Sequence, residues 1–477
     1  MSYLNFKYNA NPSEGSVIYV TDQKTGFDQH SFVTDTAYFE RKASEEGNSV
    51  VTTTHKGNVV ITVFLNKKDE NTYLLVEDVR RLGAKVTGLL NAEKVEAVSF
   101  VSDVDPALNA AFLEGLILAN YRYEKFKTKK TEGAFSTVSI AGDALDEATV
   151  NELTGLAEGV FLARDLVNEP VITLNAEAFS KAMKTAGDDA GYKTTVLDKS
   201  AIEALKMGGL LGVNKGSIDP PTFNILEWKP ENAVNERPLV LVGKGVVYDT
   251  GGNNLKPGGY MSTMKCDMGG GAAVTGSLYA ISKNKLPLWV IGLVPATDNR
   301  IGKNALVADD VITISDGTTV EVKNTDAEGR LILSDALVYA KKYNPELVID
   351  MATLTGAADA ITGPFGIAMV HDADEDQVKL LSEAGDEVYE RLAQLPFWRE
   401  FDDLLKSDIA DISNLGGPKG GATTAGKFLH HFTDYNWIHL DIAGPAFLDK
   451  PSDYKTVGGT GVGVRLMYEF AQKMAKK

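Results

Sequence analysis

Cysteine is almost absent. The 477-residue chain has one, Cys266, which excludes an intramolecular disulfide and suits a reducing cytoplasm, where the protein is expected to reside. Its six histidines are few, and none stands in HExxH spacing; there is no CxxC either. Zinc sites of those common kinds are therefore excluded. No GxSxG elbow occurs, so a serine hydrolase lacks its usual signature. No run approaches the roughly 20 apolar residues that span a bilayer. The opening MSYLNFKYNANPSEG has no basic end followed by an apolar core, so neither a signal peptide nor a membrane partner is expected. Positive charge is scarce: 48 Lys and Arg face 65 Asp and Glu, for a net charge of -17. Such a chain repels phosphate backbones and anionic lipid, which disfavours nucleic acid as a partner.

What is present is ordinary for a globular protein with a large core, 44% hydrophobic and 24% charged. Domains usually run about 100–200 residues, so two or three are expected. Early strands read SVIYV, NVVITVFL, TYLLV, VEAVSFV and FSTVSIAG, with a helix pattern from Pro106 to about Phe126. DEATVNELTGLAEGVFLARDLVNEP is a long amphipathic helix stopped by Pro170. After it come short, near-continuous apolar runs between helices: TTVL, FNILEW, PLVLVGKG, LWVIGLV, ELVID, IAMV and WIHLDIA. Strands of that kind belong to sheets covered on both faces. The expectation is an α/β protein of two domains, each a mostly parallel or mixed sheet flanked by helices, with the C-terminal one larger. Their extents are 1–150 and 171–477, joined by a connecting helix over 151–170. Glycine pairs and runs (Gly251–Gly252, Gly269–Gly271, Gly416–Gly421) fall only in the second domain, where loops turn sharply or approach something closely.

Cys266, in the apolar and Gly-rich MKCDMGGG with no histidine beside it, reads as buried packing. GATTAGKF, Gly421 to Phe428, nearly matches a Walker A loop. It fails where Phe428 replaces the hydroxyl residue that holds magnesium, so it reads as a capped helix start. The carboxylates remain. KNTDAEGRLILSDAL follows the alternating TTVEV and packs Asp326, Glu328 and Arg330 into five residues before a helix face of Leu331, Leu333, Leu337 and Ala340. LVGKGVVYDTGGNNLKPGGYMSTMKCDMGGG delivers Lys244, Asp249, Lys256 and Asp267 from a buried strand into Gly-rich turns. Ligand sites of α/β sheets lie at the carboxyl ends of strands. Oxygen-rich clusters without histidine suit magnesium, manganese or a pair of metals.

These segments resemble a known family. NTDAEGRL, Asn324 to Leu331, is similar to the signature octapeptide of the cytosol (leucyl) aminopeptidases. The resemblance continues in ARDLVNEP, MGGLLGVNKGS, VGKGVVYDTGG, MKCDMGG, GGATTAGKFL and HLDIAG, covering roughly residues 160–477. It implies five metal ligands, Lys244, Asp249, Asp267, Asp326 and Glu328, and two further catalytic residues, Lys256 and Arg330. Asp249 and Glu328 would bridge two divalent ions; Lys244 and Asp267 would complete one site and Asp326 the other. It further implies a bicarbonate at Arg330 as proton shuttle, a pocket for the N-terminal side chain lined by Met264, Thr353 and Ala446, and a homo-hexamer in which the first domain is accessory. Asn253–Asn254 depart from the family, whose members often carry smaller or apolar residues there.

The residue types suit amide hydrolysis. Four acids balance two divalent ions, which would polarise the carbonyl and bring the pKa of a bridging water to about 7. Manganese or zinc is expected, with magnesium or cobalt possible in the exchangeable site built on Asp326. Lys244 must shed a proton to serve as a ligand, at a cost of about 4–5 kcal/mol from its reference pKa, whereas Lys256 is expected to stay charged and stabilise an oxyanion. Peptides with an apolar first residue are the expected substrates. A hydrolase of dipeptides such as Cys-Gly is the alternative enzyme, and a DNA-binding accessory factor the alternative from another class.

Overall fold

The computed structural model describes residues 4–8, 11–12, 14–65, 72–131 and 134–476. The chain forms two compact units: residues 1–157 with 450–456, and residues 158–449 with 457–477. In the first, β1 (Asn5–Tyr8), β2 (Ser16–Thr21), β3 (Ser49–His55), β4 (Asn58–Phe64), β5 (Ala97–Ser102) and β6 (Thr137–Ile140) make one sheet in the order β1-β6-β5-β2-β4-β3. Every neighbouring pair is parallel except β3 with β4. Helices α1 (Thr36–Ser44), α2 (Thr72–Ala92) and α3 (Pro106–Ala119) accompany it, and α4 (Glu147–Asn168) runs from this unit into the next.

Two elements of this unit differ from the sequence expectation. TYLLV, expected as a strand, opens the 21-residue helix α2. Short apolar runs do not distinguish strand from buried helix; the later residues decide, since Val79, Gly83, Val86 and Leu90 bury one face at helical spacing. The helix expected to reach Phe126 ends at Ala119, where the Asn120 side chain turns away to donate to the Phe135 carbonyl at 3.0 Å.

The second unit is built on a nine-stranded mixed sheet of β7 (Lys193–Leu197), β8 (Thr222–Trp228), β9 (Leu239–Gly243), β10 (Gly245–Asp249), β11 (Val290–Asn299), β14 (Leu347–Ala352), β15 (Ile367–Asp372), β16 (Leu392–Gln394) and β18 (Trp437–Asp441). Its order is β16-β15-β18-β14-β9-β11-β8-β7, with β10 on β11. The middle, β18-β14-β9-β11, is parallel. Those strands are fully buried, which is why they read as continuous apolar runs. A smaller sheet joins β12 (Asp310–Thr313), β13 (Thr319–Val322) and β17 (Ile412–Ser413), and a short hairpin joins β19 (Phe447–Leu448) to β20 (Gly458–Gly459).

Helices α5 (Ala176–Ala190), α6 (Lys199–Ala204), α7 (Gly208–Asn214), α8 (Gly269–Lys283), α9 (Gly329–Ala340), α10 (Gly356–Thr362), α11 (Glu375–Glu387), α12 (Gly421–His430) and α13 (Val464–Ala475) complete the unit. One core cluster takes in Val240, Val242, Leu331, Leu333, Leu337, Phe428 and Trp437, so the apolar face expected for α9 is the face that packs on the sheet. No helix among the described residues is long and apolar enough to cross a membrane.

Candidate active site

Neighbouring parallel strands end together, and the loops that leave them collect the charged residues. Lys244 follows β9, and its N–H still donates to the Met351 carbonyl of β14 at 3.1 Å. Asp249 closes β10. Asp267 lies on a 3-10 helix, Met264–Met268, that leads into α8. Asp326 and Glu328 occupy the loop between β13 and α9, and Arg330 the first turn of α9. Gly329 lets the start of α9 and Lys244 approach closely: a Cβ there would stand 2.6 Å from Lys244 Cε and push the end of that side chain aside.

The two lysines each join two acids. Lys244 Nζ lies 2.7 Å from Asp267 Oδ1 and 2.9 Å from Glu328 Oε1. Lys256 Nζ lies 2.6 Å from Asp249 Oδ2 and 2.8 Å from Asp326 Oδ1. Burial by itself would lower both lysine pKa values, but the surrounding carboxylates outweigh it and raise them, with Asp267 foremost for Lys244 and Asp249 for Lys256. The acids move the other way. Burial and the neighbouring Asp249 push Asp326 up to about 6 despite Lys256. Burial, with Glu328 and Asp249, raises Asp267 against the pull of Lys244. Four carboxylates against two ammonium groups leave two negative charges in a buried cluster.

That surplus fits divalent cations. Ligand oxygens of Asp249, Asp326 and Glu328 lie within 4.8 Å of one another, and Asp267 is linked to the trio through Lys244. Two buried oxygens, Asp267 Oδ2 and Glu328 Oε2, have no hydrogen-bond partner among the described residues. Buried carboxylate oxygens are seldom left so unless an ion or water takes them, and an all-oxygen set with one potential amine suits hard or borderline divalent metals.

The remaining expected residues stand close by. Thr353, just beyond β14, donates through Oγ1 to Asp267 Oδ1 at 3.0 Å, and its carbonyl accepts from Lys244 Nζ at 3.0 Å. A Cβ on Gly269 would lie 3.2 Å from Thr353 Cγ2 and 3.6 Å from Ala446 Cβ, so these two flank the start of α8. Met264 begins the helix that carries Asp267. Arg330 is buried; Nη1 donates to the Asn414 carbonyl at 2.9 Å, and Nε has no partner among the described residues. Burial lowers its pKa to about 10, with Glu328 and Asp441 opposing. Cys266 is buried, and burial pushes its thiol up to about 12. Lys427, of the Walker-like stretch, pairs with Asp402 at 3.2 Å.

Uncharged residues from distant segments hold this arrangement and escape a reading based on charge. Asn299 Nδ2 donates to Asp249 Oδ1 at 2.8 Å and to the Thr325 carbonyl at 3.0 Å. Asn414, fully buried just after β17, accepts from the Lys323 N–H at 2.8 Å and donates to the Asn324 carbonyl at 2.8 Å. β17 pairs with β13, and that register sets Asn414 beside the loop it clamps.

The chain is similar to known proteins in sequence and in fold. A sequence model described as the cytosol aminopeptidase family, catalytic domain, matches residues 161–468. A probable cytosol aminopeptidase of Chlorobium limicola is 45% identical over 380 residues, 76% of this chain and 75% of the relative. Among solved structures, a bottromycin maturation enzyme in complex with Mn superposes with a TM-score of 0.85 at 32% identity, covering 96% of this chain and 99% of that one. A tomato leucine aminopeptidase mutant also gives 0.85, at 26% identity, covering 98% and 96%.

Proposed function

The chain belongs to the cytosol aminopeptidase family and carries its aminopeptidase activity, and on that premise we propose that it removes apolar N-terminal residues such as leucine from short peptides at a two-metal site. The observation that carries this reading is the buried group of Asp249, Asp326 and Glu328 with Lys244 and Asp267 beside it, two charges short of neutral and with two carboxylate oxygens unbonded. Asp249 and Glu328 would bridge two divalent ions, with Lys244 and Asp267 completing one site and Asp326 the other. When bound, the ions supply electrophilic polarisation of the scissile carbonyl and a water acidic enough to act near pH 7.

The chain's own residues do the rest. Lys256 keeps its proton among the acids and is the less enclosed of the two lysines, at 14% exposure against 3%. It therefore faces the substrate as a fixed positive charge for the oxyanion of the tetrahedral intermediate. Arg330 has no usable lone pair and cannot act as a base; its unpaired Nε suits a small oxyanion such as bicarbonate, which Arg330 would hold and which, when bound, would supply an oxygen able to accept and return a proton. Met264, Thr353 and Ala446 would line the pocket for the first side chain, and small Ala446 leaves room for leucine, methionine or phenylalanine. We place the protein in the cytoplasm as a homo-hexamer without membrane or nucleic-acid partners. Turnover of leucyl-p-nitroanilide with added Mn2+ tests the reading. Failure to hydrolyse any aminoacyl substrate with any divalent metal would overturn it.

A further inference from the structure

Lys256 and Asp326 come from segments 70 residues apart, and a side chain that carries no charge joins those segments beside them. Asn254 Oδ1 accepts from the Thr325 backbone N–H at 2.8 Å. In return the Asn254 N–H donates to Thr325 Oγ1, also at 2.8 Å, and that hydroxyl gives its proton to the Gly251 carbonyl at 2.6 Å. Thr325 immediately precedes Asp326, and Asn254 stands two residues before Lys256, whose own N–H donates to the Thr250 carbonyl at 3.0 Å. The turn is tight. Gly251 has φ +87, and a Cβ there would lie 2.5 Å from the Asn254 carbonyl and 2.9 Å from both Asp326 Oδ1 and the Lys256 nitrogen. Behind it, Gly252, Asn299, Thr325 and their neighbours enclose a void of only about 10 Å³, room for one water at most.

We propose that Asn254 is a positioning residue for catalysis. By tying the 250–256 loop to Thr325 it holds the Lys256 ammonium at its 2.6 and 2.8 Å contacts with Asp249 and Asp326. It thereby fixes where the oxyanion-stabilising charge stands relative to the carboxylates. The proposal rests on the reading of Lys256 given above. Its physical basis is that transition-state stabilisation by a fixed charge depends steeply on placement, and a shift of about 1 Å can cost on the order of 100-fold. A side chain that merely stabilised the loop would alter the melting temperature and leave kcat alone. Asn254 instead bonds the residue next to one acid while sitting two residues from the lysine that meets it.

The test uses the full-length, Mn2+-loaded protein and leucyl-p-nitroanilide. Asn254→Ala is expected to lower kcat about tenfold with KM within about twofold of the unmodified protein, with Mn2+ per chain unchanged by elemental analysis. Thr325→Val should do likewise, and Thr325→Ser, which restores the hydroxyl, should recover most of the kcat lost in Thr325→Val. Because the two side chains brace the same junction, with the Thr325 hydroxyl also 3.1 Å from Asn254 Oδ1, the Asn254→Ala/Thr325→Val pair should be no slower than about threefold below the worse single variant. A kcat for Asn254→Ala within about twofold of the unmodified protein overturns the proposal, as do two single losses that multiply in the double variant. If Asn254→Ala does not fold, the Thr325→Val and Thr325→Ser comparison decides alone: equal kcat values overturn it. An unmodified chain that turns nothing over removes the functional reading and this proposal together.

Discussion

Each unit of the molecule buries a cluster of ionised side chains, and the two clusters are built differently. In the first unit, Glu77 meets Arg80 at 2.7 Å and Arg81 at 2.9 Å, Arg80 meets Glu114 at 2.7 Å, and the Tyr454 hydroxyl donates to Glu77 at 3.1 Å. Arg81 also lies 3.5 Å from Asp453, so each carboxylate of this cluster has a guanidinium partner. In the second unit four carboxylates face two lysines, and Asp267 Oδ2 and Glu328 Oε2 bond nothing among the described residues. Taking an ion out of water costs several kcal/mol, which pairing can offset. The first cluster is offset from within. The second is not, and its strain is visible in Asp326, pushed up to about 6 by burial and Asp249. Incompleteness, more than burial or density of charge, is what marks a site that awaits a ligand.

Removing one surplus carboxylate breaks the contrast most severely. Glu328→Gln is expected to lower kcat/KM by more than about 1000-fold, beyond what a single electrostatic donor supplies. Its melting temperature in chelator should not fall, because an unbalanced buried charge has been relieved; differential scanning fluorimetry checks this. Lys256→Ala should cost about 100–1000-fold in kcat while elemental analysis finds its metal retained. The cluster of the first unit should behave oppositely. Glu77→Gln removes the carboxylate that Arg80 and Arg81 share and is expected to destabilise by about 3 kcal/mol, with kcat per folded chain unchanged, as denaturant melts and active-site titration would report.

The smallest effect concerns pH. Asp335, buried on α9, accepts from the Leu210 and Ser315 N–H groups, both at 2.9 Å, yet burial still pushes its carboxyl up to about 7. A carboxyl raised above its unfolded value contributes stability that is full below the unfolded pKa and is lost as pH rises through 7. Between pH 6 and 8 that loss should be about 1 kcal/mol, and it should vanish in Asp335→Asn.

The residues of the unbalanced cluster were legible in the sequence because they are charged, lie in Gly-rich turns and sit within short stretches: Asp326, Glu328 and Arg330 span five residues. The alternation of buried strands and helices was legible for a similar reason, since a covered strand is a continuous apolar run. What supports the cluster was not. Asn299 and Asn414 act through backbone groups 26 and 90 residues away, and an asparagine in a loop carries no local mark of such a bond. Asn254 could be seen only as a departure from the family, and its partner emerges once two loops are folded together. TYLLV misled because a threonine followed by four apolar residues fits a strand and a helix start equally well.

Metal content measured during stepwise removal tests the reading of the unbalanced cluster most directly. The lysine amine of Lys244 and the extra carboxylate of Asp267 should hold one ion more tightly than Asp326 holds the other, since amine nitrogen favours manganese, cobalt or zinc over magnesium. Protein loaded with Mn2+ and dialysed briefly against a weak chelator should retain one ion per chain with low activity. Re-addition of Mn2+, Co2+ or Mg2+ should return a second ion and restore different rates. Two ions leaving together, or none bound at the start, would contradict the assignment of Lys244, Asp249, Asp267, Asp326 and Glu328 as two unequal metal sites.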